Sequence, residues 1–549
     1  MKATTLKLNL GCGQDKRAGW INIDALASLQ PDLVHDLRLP LPYDNDSVTE
    51  ILAQDILEHF TKEEVNFVIG EIARVLKING VLTVRVPNVD DILTRFQNDP
   101  EVHNQFLYGT TAETGYFGAH KVGFSPLLLT TLMLEYDLSL IKLTQETTNW
   151  LAVFRKLDKP AKLQHITYIN QSLALGGAEE FMSDLLSELQ NEGMTVKAYT
   201  TYSPFANLLQ KKGITAQTLP VVLDVVGDWK GLVKAMLLWP WGIWQYQKIL
   251  KNSPTDLLLF SGFNEKIIGS FLGKLWSIPV VWIEFGPLEQ LLQKFGQLPK
   301  VLYYSVKKIP EKVIVPSKNT FNHLISGPHI SLAKLVVIPC GRKSIPIGFS
   351  RKIKKPQTPY VVCVSRLEKG KGQDLLIKAF VQVKKRVPKA QLIIVGEGIF
   401  REELAELITD LKLSANVQLI GRVPNALTEM AKANLCVFPS MWSLEGFGLV
   451  LLEAMALGKP VIAFDHKPGN EIVVNEQTGL LAKSGDVKDL ANKIITLLEN
   501  PTLGKKLGMA GKKRFLKKYT IEKCAQQFHN TLNEGYIQSK AKKLLKDIV

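Results

Sequence analysis

The sequence contains few cysteines and no long apolar run, and each absence excludes a class of protein. Its five cysteines lie far apart, without a CxxC pair or a Cys/His cluster at zinc spacing. We therefore expect no bound metal and a reducing, cytoplasmic compartment. No window holds 18 uninterrupted apolar residues, which argues against a membrane-spanning helix. The N-terminal residues also lack the apolar segment and cleavage site of a secretory signal.

Charge is distributed unevenly along the 549 residues, a length that predicts three or four domains. Residues 1–158 carry 14 Lys and Arg against 21 Asp and Glu, whereas the rest of the chain is strongly basic. A basic body suits phosphate-bearing substrates or an anionic membrane, or is simply a solvated cationic surface. No helix-turn-helix, zinc-finger or aromatic–basic sheet pattern is present, so we do not expect a nucleic-acid partner.

Apolar strand-like runs alternate with amphipathic helical segments along nearly the whole chain, which predicts an α/β fold with parallel sheets. The pattern restarts twice, so we expect three Rossmann-like domains. The first break is the polar, Pro-containing segment LDKPAK at 157–162. The predicted domains are residues 1–158, 159–345 and 346–549.

The strongest chemical pattern is SLEGFGLVLLEAMALGKPVIA at 443–463, in which two glutamates flank a glycine turn and the start of a helix. A helix N-terminus offers unpaired N–H groups to an anion, so a diphosphate fits at 446–449. Glu445 and Glu453 are poor phosphate ligands and are better suited to accept hydrogen bonds from sugar hydroxyls on either side of it.

A second pattern, SRLEKGKGQDLLIKAF at 365–380, contributes two cations. Arg366 ends a predicted strand and Lys371 lies in the loop before a helix, at the carboxyl end of the sheet where open α/β folds bind ligands. These side chains would hold a diphosphate and neutralise its charge as it leaves. Considered alone, they are better interpreted as solvated loop cations, and the glutamate motif downstream reverses that preference.

Residues 165–535 resemble the retaining glycosyltransferases of the GT-B fold known as family 4. Upstream motifs shared with that family are LALGGAEEF (173–181), VIVPSKNTFNHLI (313–325) and VVIPCG (336–341). The later motifs are RLEKGKG (366–372), VGEG (395–398), GRV (421–423), FPS (438–440), the two glutamates around GFGLVLL, and NEQTGLLA (475–482).

The resemblance implies metal-independent transfer of a sugar from a nucleotide-diphosphate sugar, in a cleft between an acceptor-side N-lobe (159–345) and a donor-side C-lobe (346–549). It assigns the reaction to Arg366, Lys371 and Glu445, of which the first two would also bind the diphosphate. Further donor contacts are expected from Gly421, Arg422, Val423, Gly446, Phe447, Gly448, Leu449 and Glu453. Within this set, 421–423 would lie beside the base and Glu453 would bind the ribose.

The acceptor side of the cleft is expected at Gly176 and Gly177, and one departure from the family lies there. Many members have a histidine that touches the donor sugar after the strand read here as PVVWIEFG, and this chain has Phe285 at that place. The preceding Glu284 either substitutes as a polar contact or simply belongs to the strand.

The N-terminal domain resembles class I S-adenosylmethionine-dependent methyltransferases through LNLGCG (8–13), HDL (35–37) and ILEHF (56–60). Glycines let a cofactor approach the end of a strand, and a carboxylate after the next strand can hold ribose hydroxyls. The expected cofactor residues are Gly11, Cys12, Gly13, Asp24, Asp36 and Asp55. The first helix must be short or absent, and the third glycine of the fingerprint is missing unless Gly19 substitutes.

Two interpretations of this domain therefore stay open, an active methyltransferase and a degenerate domain kept for binding or scaffolding. Methyl transfer depends mainly on aligning the methyl group with its nucleophile, and an oxygen nucleophile also needs a base. Candidate bases are Glu58, His59 and His120.

The segment KGLVKAMLLWPWGIWQYQKIL at 230–250 is rich in Trp and Leu, with lysines near both ends. It is either a helix lying in a membrane interface or a core helix of the acceptor lobe kinked at Pro240. We favour the core helix. Basic runs at 351–355, 512–518 and 540–546 would still attract anionic lipid at the inner face of a membrane.

The sequence thus predicts an enzyme that adds a sugar to a glycan or lipid-linked acceptor in cell-surface polysaccharide synthesis, and that also methylates that glycan or its precursor. Three alternatives remain. The front domain is an inactive binding module, the second part is a non-transferase GT-B enzyme such as a sugar-nucleotide epimerase, or the chain is a sugar-binding scaffold without activity.

Overall fold

The computed structural model describes residues 5–95, 120–220, 229–346, 348–349, 353–354, 356–442 and 445–548. The chain forms two compact units, Met1–Leu163 with Asn533–Val549, and Gln164–Leu532. The strands among the described residues belong to three sheets that are wholly or largely parallel. This confirms the predicted α/β class with several Rossmann-like domains.

The first unit is built on a parallel sheet extended by an antiparallel hairpin. Its strands are β1 (Lys7–Leu10), β2 (Ile21–Asp24), β3 (Leu33–Val34), β4 (Val48–Gln54), β5 (Leu76–Pro87), β6 (Leu138–Glu146) and β7 (Asn149–Lys156). They lie in the order β3-β2-β1-β4-β5-β7-β6, with β7 antiparallel to both neighbours. The strand order reverses between β1 and β4, so a ligand crevice is expected at the carboxyl ends of these two strands.

The helices of this unit are α1 (Lys62–Val75), α2 (Val89–Arg95) and α3 (Pro126–Glu135). A capping box begins α1, because Thr61 Oγ1 accepts from the Glu64 N–H at 3.3 Å and the Glu64 carboxylate accepts from the Thr61 N–H at 2.8 Å. Apolar residues three and four apart in α1 are buried in the core of the unit. Each such side chain contributes about 1.5–3 kcal/mol on burial.

The N-lobe of the second unit is a parallel sheet in the order β10-β9-β8-β11-β12-β13-β14. Its strands are β8 (His165–Asn170), β9 (Thr195–Thr200), β10 (Thr215–Thr218), β11 (Leu257–Phe260), β12 (Val280–Ile283), β13 (Lys312–Val315) and β14 (Leu335–Val337). Its helices are α4 (Gly177–Asn191), α5 (Ser203–Lys211), α6 (Trp229–Asn252), α7 (Phe263–Leu275), α8 (Glu289–Leu292), α9 (Leu298–Val306) and α10 (Lys318–Ser326). The central strands are buried throughout, as in a sheet covered on both faces.

The C-lobe is a second parallel sheet, in the order β17-β16-β15-β18-β19-β20. Its strands are β15 (Tyr360–Val364), β16 (Gln391–Val395), β17 (Val417–Gly421), β18 (Leu435–Phe438), β19 (Val461–Phe464) and β20 (Leu480–Ala482). Its helices are α11 (Gln373–Arg386), α12 (Arg401–Asp410), α13 (Ala426–Lys432), α14 (Leu449–Ala456), α15 (Gly469–Ile472), α16 (Val487–Glu499) and α17 (Pro501–Lys518). The order reverses between β15 and β18.

The last helix, α18 (Ile521–Ile548), continues past Leu532, the last residue of the second unit. Its final turns belong to the first unit, where Leu545 and Ile548 pack against the core. The domain boundaries expected after residues 158 and 345 stay predictions.

Helix α6 has one buried and one exposed apolar face. Ala235, Tyr246, Ile249 and Leu250 lie in the N-lobe core. Val233, Leu237, Trp241 and Trp244 are 40–77% exposed, and their spacing of four, four and three residues places them on one side of the helix. The core-helix interpretation therefore accounts for the buried face, and the membrane interpretation of the exposed face stays a prediction. Within the described ranges, every helix is too short or too polar to span a bilayer.

Strands that lead into the C-lobe site end earlier than their apolar pattern suggests. The runs at 360–366 and 435–440 predict strands of that length, but β15 ends at Val364 and β18 at Phe438. The two residues after each strand instead begin loops, because sheet pairing stops where the chain turns toward a helix. These loops carry the residues of the candidate site.

Candidate functional site

The C-lobe site lies where its strand order reverses. The loop after β15 carries Arg366 and Lys371, and the loop after the neighbouring β18 carries Ser440, Trp442 and Glu445. Loops that leave adjacent parallel strands at this point form the crevice in which open α/β sheets bind ligands.

Lys371 and Glu445 form the central contact of this crevice. The Lys371 ammonium lies 2.5 Å from the Glu445 carboxylate, which also accepts a hydrogen bond from Ser440 Oγ at 3.1 Å. The two side chains are 9% and 14% exposed, so the charges are shielded from bulk water. Because a nearly buried ion pair is costly to break, Lys371 is held at a fixed place in the site.

Both predicted cations also contact the ring of Trp442. The Lys371 ammonium is 4.1 Å and the Arg366 guanidinium carbon 5.4 Å from its centre. Arg366 is 63% exposed and pairs with Glu368 at 2.8 Å. The structure thus brings two positive charges close to one indole ring, with Arg366 exposed to solvent and Lys371 nearly buried.

Gly372 lets these two loops meet. Its φ is +74°, and a Cβ atom added there would lie 1.9 Å from the carbonyl oxygen of Pro439, at the end of the β18 strand. An L-residue would therefore be strained in its own backbone and would also clash with the other loop. The glycine fixes the approach that pairs Lys371 with Glu445.

The residues expected to meet the diphosphate begin helix α14. Gly448 is its N-cap and Leu449 its first residue, while Phe447 is buried and packs edge-on against Tyr519. At Gly446, an added Cβ atom would lie 1.6 Å from the carbonyl oxygen of Phe285 in the N-lobe. The two lobes are therefore in backbone contact at this turn.

Glu453, predicted as a ribose ligand, is paired with a residue that the sequence analysis missed. Arg342 Nη2 lies 2.7 Å from its carboxylate and 3.0 Å from that of Glu180, and Asp184 lies 3.8 Å from Nη1. Burial raises the pKa of Glu453, and Arg342 opposes that rise. Burial lowers the pKa of Arg342, but the carboxylates outweigh it and the net direction is upward.

The segment 421–423 lies at the end of β17, three strands from β18 in the same sheet. Gly421 has a φ of +75° and lies beside Glu397, whereas Arg422 is exposed and Val423 half-buried. Contacts of this segment with Lys371 or Glu445 are absent from the described hydrogen bonds and ion pairs. Its expected contact with the base of the nucleotide sugar stays a prediction.

Of the residues expected on the acceptor side, Gly177 packs against the C-lobe, whereas Glu284 is buried among N-lobe side chains. A Cβ atom added at Gly177 would lie 3.2 Å from Leu449 Cδ1, so the loop at 176–177 packs against the start of α14. The Glu284 carboxylate is 4% exposed, lies 2.8 Å from Lys266 and accepts from the Tyr303 hydroxyl at 3.0 Å. These contacts favour a structural role for Glu284. Phe285 packs edge-on against Phe181 at 5.9 Å.

In the first unit, the glycine loop after β1 contacts the end of β2. Gly11 and Gly13 both have a positive φ, and the Gly13 N–H donates to Asp24 at 2.9 Å. The other oxygen of Asp24 accepts from the Leu26 N–H at 2.9 Å. Cys12 is buried; burial first and Asp24 second raise the pKa of its thiol. All five cysteines of the chain are free.

The two other predicted cofactor carboxylates are paired with arginines. Asp36 accepts from Arg38, with 2.7 Å between Nη2 and Oδ2, and these hydrogen bonds are the main cause of its lowered pKa. Asp55 pairs closely with Arg85. The structure gathers Gly13 and Asp24 at one edge of the sheet but leaves the ligand roles of all three carboxylates as predictions.

Comparison with known proteins finds a family model, relatives in sequence and solved structures of similar fold. Residues 348–514 match the family model of glycosyl transferases group 1. The chain is 33% identical over 267 residues to a GDP-mannose-dependent monoacylated alpha-(1-6)-phosphatidylinositol monomannoside mannosyltransferase of Corynebacterium glutamicum, covering 46% of this chain and 67% of that protein.

A second relative is the N-acetylgalactosamine-N,N'-diacetylbacillosaminyl-diphospho-undecaprenol 4-alpha-N-acetylgalactosaminyltransferase of Campylobacter jejuni. It is 35% identical over 147 residues, which are 27% of this chain and 39% of that protein. The chain therefore spans well under half the length of this relative.

Solved structures share the fold of about two thirds of the chain. Anabaena HepE in complex with UDP gives a TM-score of 0.57 at 22% identity, covering 67% of this chain and 99% of that one. Sucrose-phosphate synthase of Thermosynechococcus elongatus gives 0.56 at 23% identity, covering 67% and 98%.

Proposed function

Because the chain belongs to the group 1 glycosyl transferases, we propose that it moves a sugar from a nucleotide-diphosphate sugar to a glycan or lipid-linked acceptor, with retention at the anomeric carbon. The observation that carries this proposal is the shielded Lys371–Glu445 pair at the point where the C-lobe strand order reverses. This pair holds the Lys371 ammonium beside the glycine turn at 446–448 and the start of α14. Such a combination of a cation and a helix N-terminus suits a diphosphate.

Each residue of the site has a task in that reaction. Arg366 and Lys371 bind the diphosphate and stabilise the negative charge that grows on it as the bond to the sugar breaks. Backbone N–H groups at 447–449 add partial positive charge at the start of α14. Glu445, held by Lys371 and Ser440, accepts hydrogen bonds from the donor sugar.

Glu453 already has a partner on the side of the site where the ribose is expected. Its carboxylate lies 2.7 Å from Arg342, so a ribose hydroxyl would share or replace that partner. The carboxylate has two oxygens, and the Arg342 contact uses Oε1. We propose that the other oxygen accepts from the ribose while Arg342 stays in place.

The donor site is tested by calorimetry of the full chain with a panel of UDP-, GDP- and other nucleotide sugars. We expect one of them to bind, and Lys371→Ala to weaken that binding at least about tenfold, since a charge-assisted contact is lost. Lys369→Ala is the matched control, because Lys369 lies in the same loop but is 71% exposed and pairs with Glu403. Equal losses in both variants would contradict the assignment of Lys371.

The reaction is tested by NMR of the product. Retention requires the same anomeric configuration in donor and product when an acceptor is supplied. A sugar nucleotide that is converted without any acceptor would instead favour the epimerase-type alternative.

The relatives suggest the class of acceptor. One is named for a phosphatidylinositol mannoside and another for a diphospho-undecaprenol. Both acceptors carry a lipid, so we propose a lipid-linked acceptor for this chain in cell-surface glycan synthesis.

The exposed apolar face of α6 supports the proposal that the protein binds a membrane surface. Trp241 and Trp244 share that face with Leu237, and exposed Lys230, Lys234, Lys248 and Lys251 lie along the same helix. Tryptophan and lysine are favoured at the boundary of an anionic bilayer, where the rings enter and the ammonium groups meet phosphates. The basic run at 351–355 lies largely outside the described residues.

Liposome co-sedimentation tests this surface. We expect binding to anionic vesicles at low salt, weaker binding at high salt, and a loss in Leu237→Ser with Trp241→Ala. Leu275→Ser is the control, because Leu275 is 63% exposed on the neighbouring helix α7. Absence of low-salt binding would end the membrane proposal without affecting the donor site.

For the first unit we propose S-adenosylmethionine binding and methylation of the same glycan or its precursor. The contact between Gly13 and Asp24 at the carboxyl ends of β1 and β2 supports it. Calorimetry of the full chain with S-adenosylmethionine should show binding that Asp24→Ala removes. Asp15→Ala is the control, because Asp15 is 63% exposed and pairs with Arg17. Failure to bind would favour the inactive-module alternative.

A further inference from the structure

A second polar cluster lies in the first unit, just after β4. Glu58 and His59 belong to a short 3-10 helix, Leu57–His59, and His120 comes from a segment distant in the sequence. One ligand atom from each of the three side chains lies within 4.8 Å of the others. The two imidazole rings are 5.0 Å apart between centres, at an angle of 62°.

The backbone holds this cluster together. The carbonyl oxygen of Glu58 accepts a hydrogen bond from the Lys121 N–H at 2.6 Å and lies 3.3 Å from the Val122 N–H. The residues that follow His120 are thereby fixed beside the 3-10 helix that carries the other two side chains. These backbone hydrogen bonds therefore keep the segments that carry the three side chains next to each other.

Glu58 has an unusual environment. Its side chain is 1% exposed, and its Oε2 atom lacks a hydrogen-bond partner among the described residues. An unpaired buried carboxylate oxygen costs several kcal/mol unless something satisfies it. A cation bound between the carboxylate and the two imidazoles would do so.

We propose that Glu58, His59 and His120 bind a divalent transition-metal ion of the zinc type. Two imidazole nitrogens and one carboxylate oxygen form a ligand set that suits Zn²⁺ and related ions, and three protein ligands leave a coordination position for an oxygen of another ligand. This proposal departs from the expectation of no bound metal, which rested on chain spacing. Spacing gives no sign of this site, because His120 lies far along the chain from Glu58 and His59.

The place of the cluster in the sheet suits such a role. It follows β4, whose carboxyl end lies beside that of β1 where the strand order reverses. A Cβ atom added at Gly11 would lie 2.7 Å from the side chain of Ile56, so the glycine loop and the cluster lie at one edge of the sheet. A metal there would face the crevice of the first unit.

The test uses the full-length protein after treatment with a chelator and dialysis. Titration with Co²⁺ is expected to give visible absorption that saturates at one ion per chain, and Zn²⁺ should abolish it by competition. Elemental analysis of the untreated protein provides a second measure of stoichiometry.

Three variants probe the ligands. We expect Glu58→Gln, His59→Gln and His120→Gln each to weaken Co²⁺ binding at least about tenfold. His35→Gln is the matched control, because His35 lies in the same unit but outside the cluster. If Glu58→Gln fails to fold, the test rests on His59→Gln and His120→Gln. Both histidines are half-buried, and their substitution leaves the buried carboxylate of Glu58 in place.

Two results would overturn the inference. One is the absence of saturable Co²⁺ absorption in the wild-type chain, and the other is binding that the histidine variants and His35→Gln retain equally. S-adenosylmethionine and nucleotide-sugar binding are measured on the same samples. If these persist while metal binding is absent, the metal site fails and the proposed function stands.

Discussion

The proposed ligand sites of the two units occupy equivalent places in their sheets but differ in which charged groups they contain and in how those groups are paired. In the C-lobe, Lys371 and Glu445 join the loops of neighbouring strands and are nearly buried. In the first unit, Asp24 accepts from the backbone at Gly13 and Leu26, and Asp36 pairs with Arg38 two residues away. The proposed C-lobe site is therefore lined by cations that suit an anion, whereas the proposed site of the first unit is lined by carboxylates that suit hydroxyl and amine groups.

Two of these pairs also differ in range, because Lys371 and Glu445 lie 74 residues apart in the chain and Asp36 and Arg38 only two. An ion pair between segments that are distant in the sequence both stabilises the fold of the lobe and fixes the positions of the site residues. A pair between near neighbours adds little to either, because the chain itself keeps the groups close. Substitutions in the second unit should thus cost more than their counterparts in the first.

The largest effect is expected from Arg342→Ala. It leaves Glu453, Glu180 and Asp184 close together without their shared cation, and loss of one partner from a largely buried pair costs about 3–5 kcal/mol. Hydrogen-exchange mass spectrometry of peptides from α14 would report the change in the free energy of opening. Lys343→Ala is the control, since Lys343 is 52% exposed and 3.4 Å from Asp184.

The deficit of Arg342→Ala should depend on pH. Burial already raises the pKa of Glu453 above 4.5, and loss of Arg342 raises it further. A carboxyl with a raised folded-state pKa stabilises the fold at low pH and loses that contribution as the pH rises. The variant should therefore be closer to wild type near pH 5 than near pH 8, and an opposite trend would contradict the assigned pairing.

The next effect is expected from Glu445→Gln on glycosyl transfer. The amide keeps the shape but loses the charge that holds Lys371, so kcat/KM should fall about 10²–10³-fold, as for other groups that stabilise a transition state. Steady-state kinetics measure it, and affinity for the nucleotide diphosphate alone should change much less. Glu403→Gln is the control, because Glu403 is 56% exposed and pairs with Lys369.

Much of the fold follows from the sequence, because apolar runs and helical periods are local signals. The spacing around Glu445 and the loop of Lys371 likewise mark two segments at the edge of a parallel sheet. Their direct pairing does not follow, since it depends on Gly372 letting the loop reach Pro439. That approach is a property of tertiary packing.

Arg342 shows what sequence patterns miss. A single arginine after β14 has no period or spacing to mark it. A weak signal exists in its partners, because Glu180 and Asp184 lie four residues apart on α4 and so share one face. Two acids on one helix face indicate a cation, but not which one.

A matched pair of glycine substitutions compares the two units directly. Gly372→Ala introduces both an unfavourable φ and a Cβ atom 1.9 Å from the Pro439 carbonyl oxygen, whereas Gly13→Ala introduces only the unfavourable φ, with open space around it. We expect about 3 kcal/mol for the first and about 1 kcal/mol for the second. Hydrogen exchange in each unit measures the difference, and equal costs would show that packing between the loops adds nothing.

The smallest effect is expected from Arg38→Ala in the first unit. Its pair with Asp36 is about one third exposed and local, so its loss should cost under about 1 kcal/mol. Arg38 is the main cause of the lowered pKa of Asp36, and a carboxyl with a lowered folded-state pKa stabilises the fold above its ordinary pKa and loses that contribution as the pH falls. The deficit of the variant should accordingly be present at pH 7 and shrink below about pH 4. Chemical unfolding at both pH values measures it. A cost as large as that of Arg342→Ala would mean that pairing distance and burial do not separate the two units, and the comparison would fail.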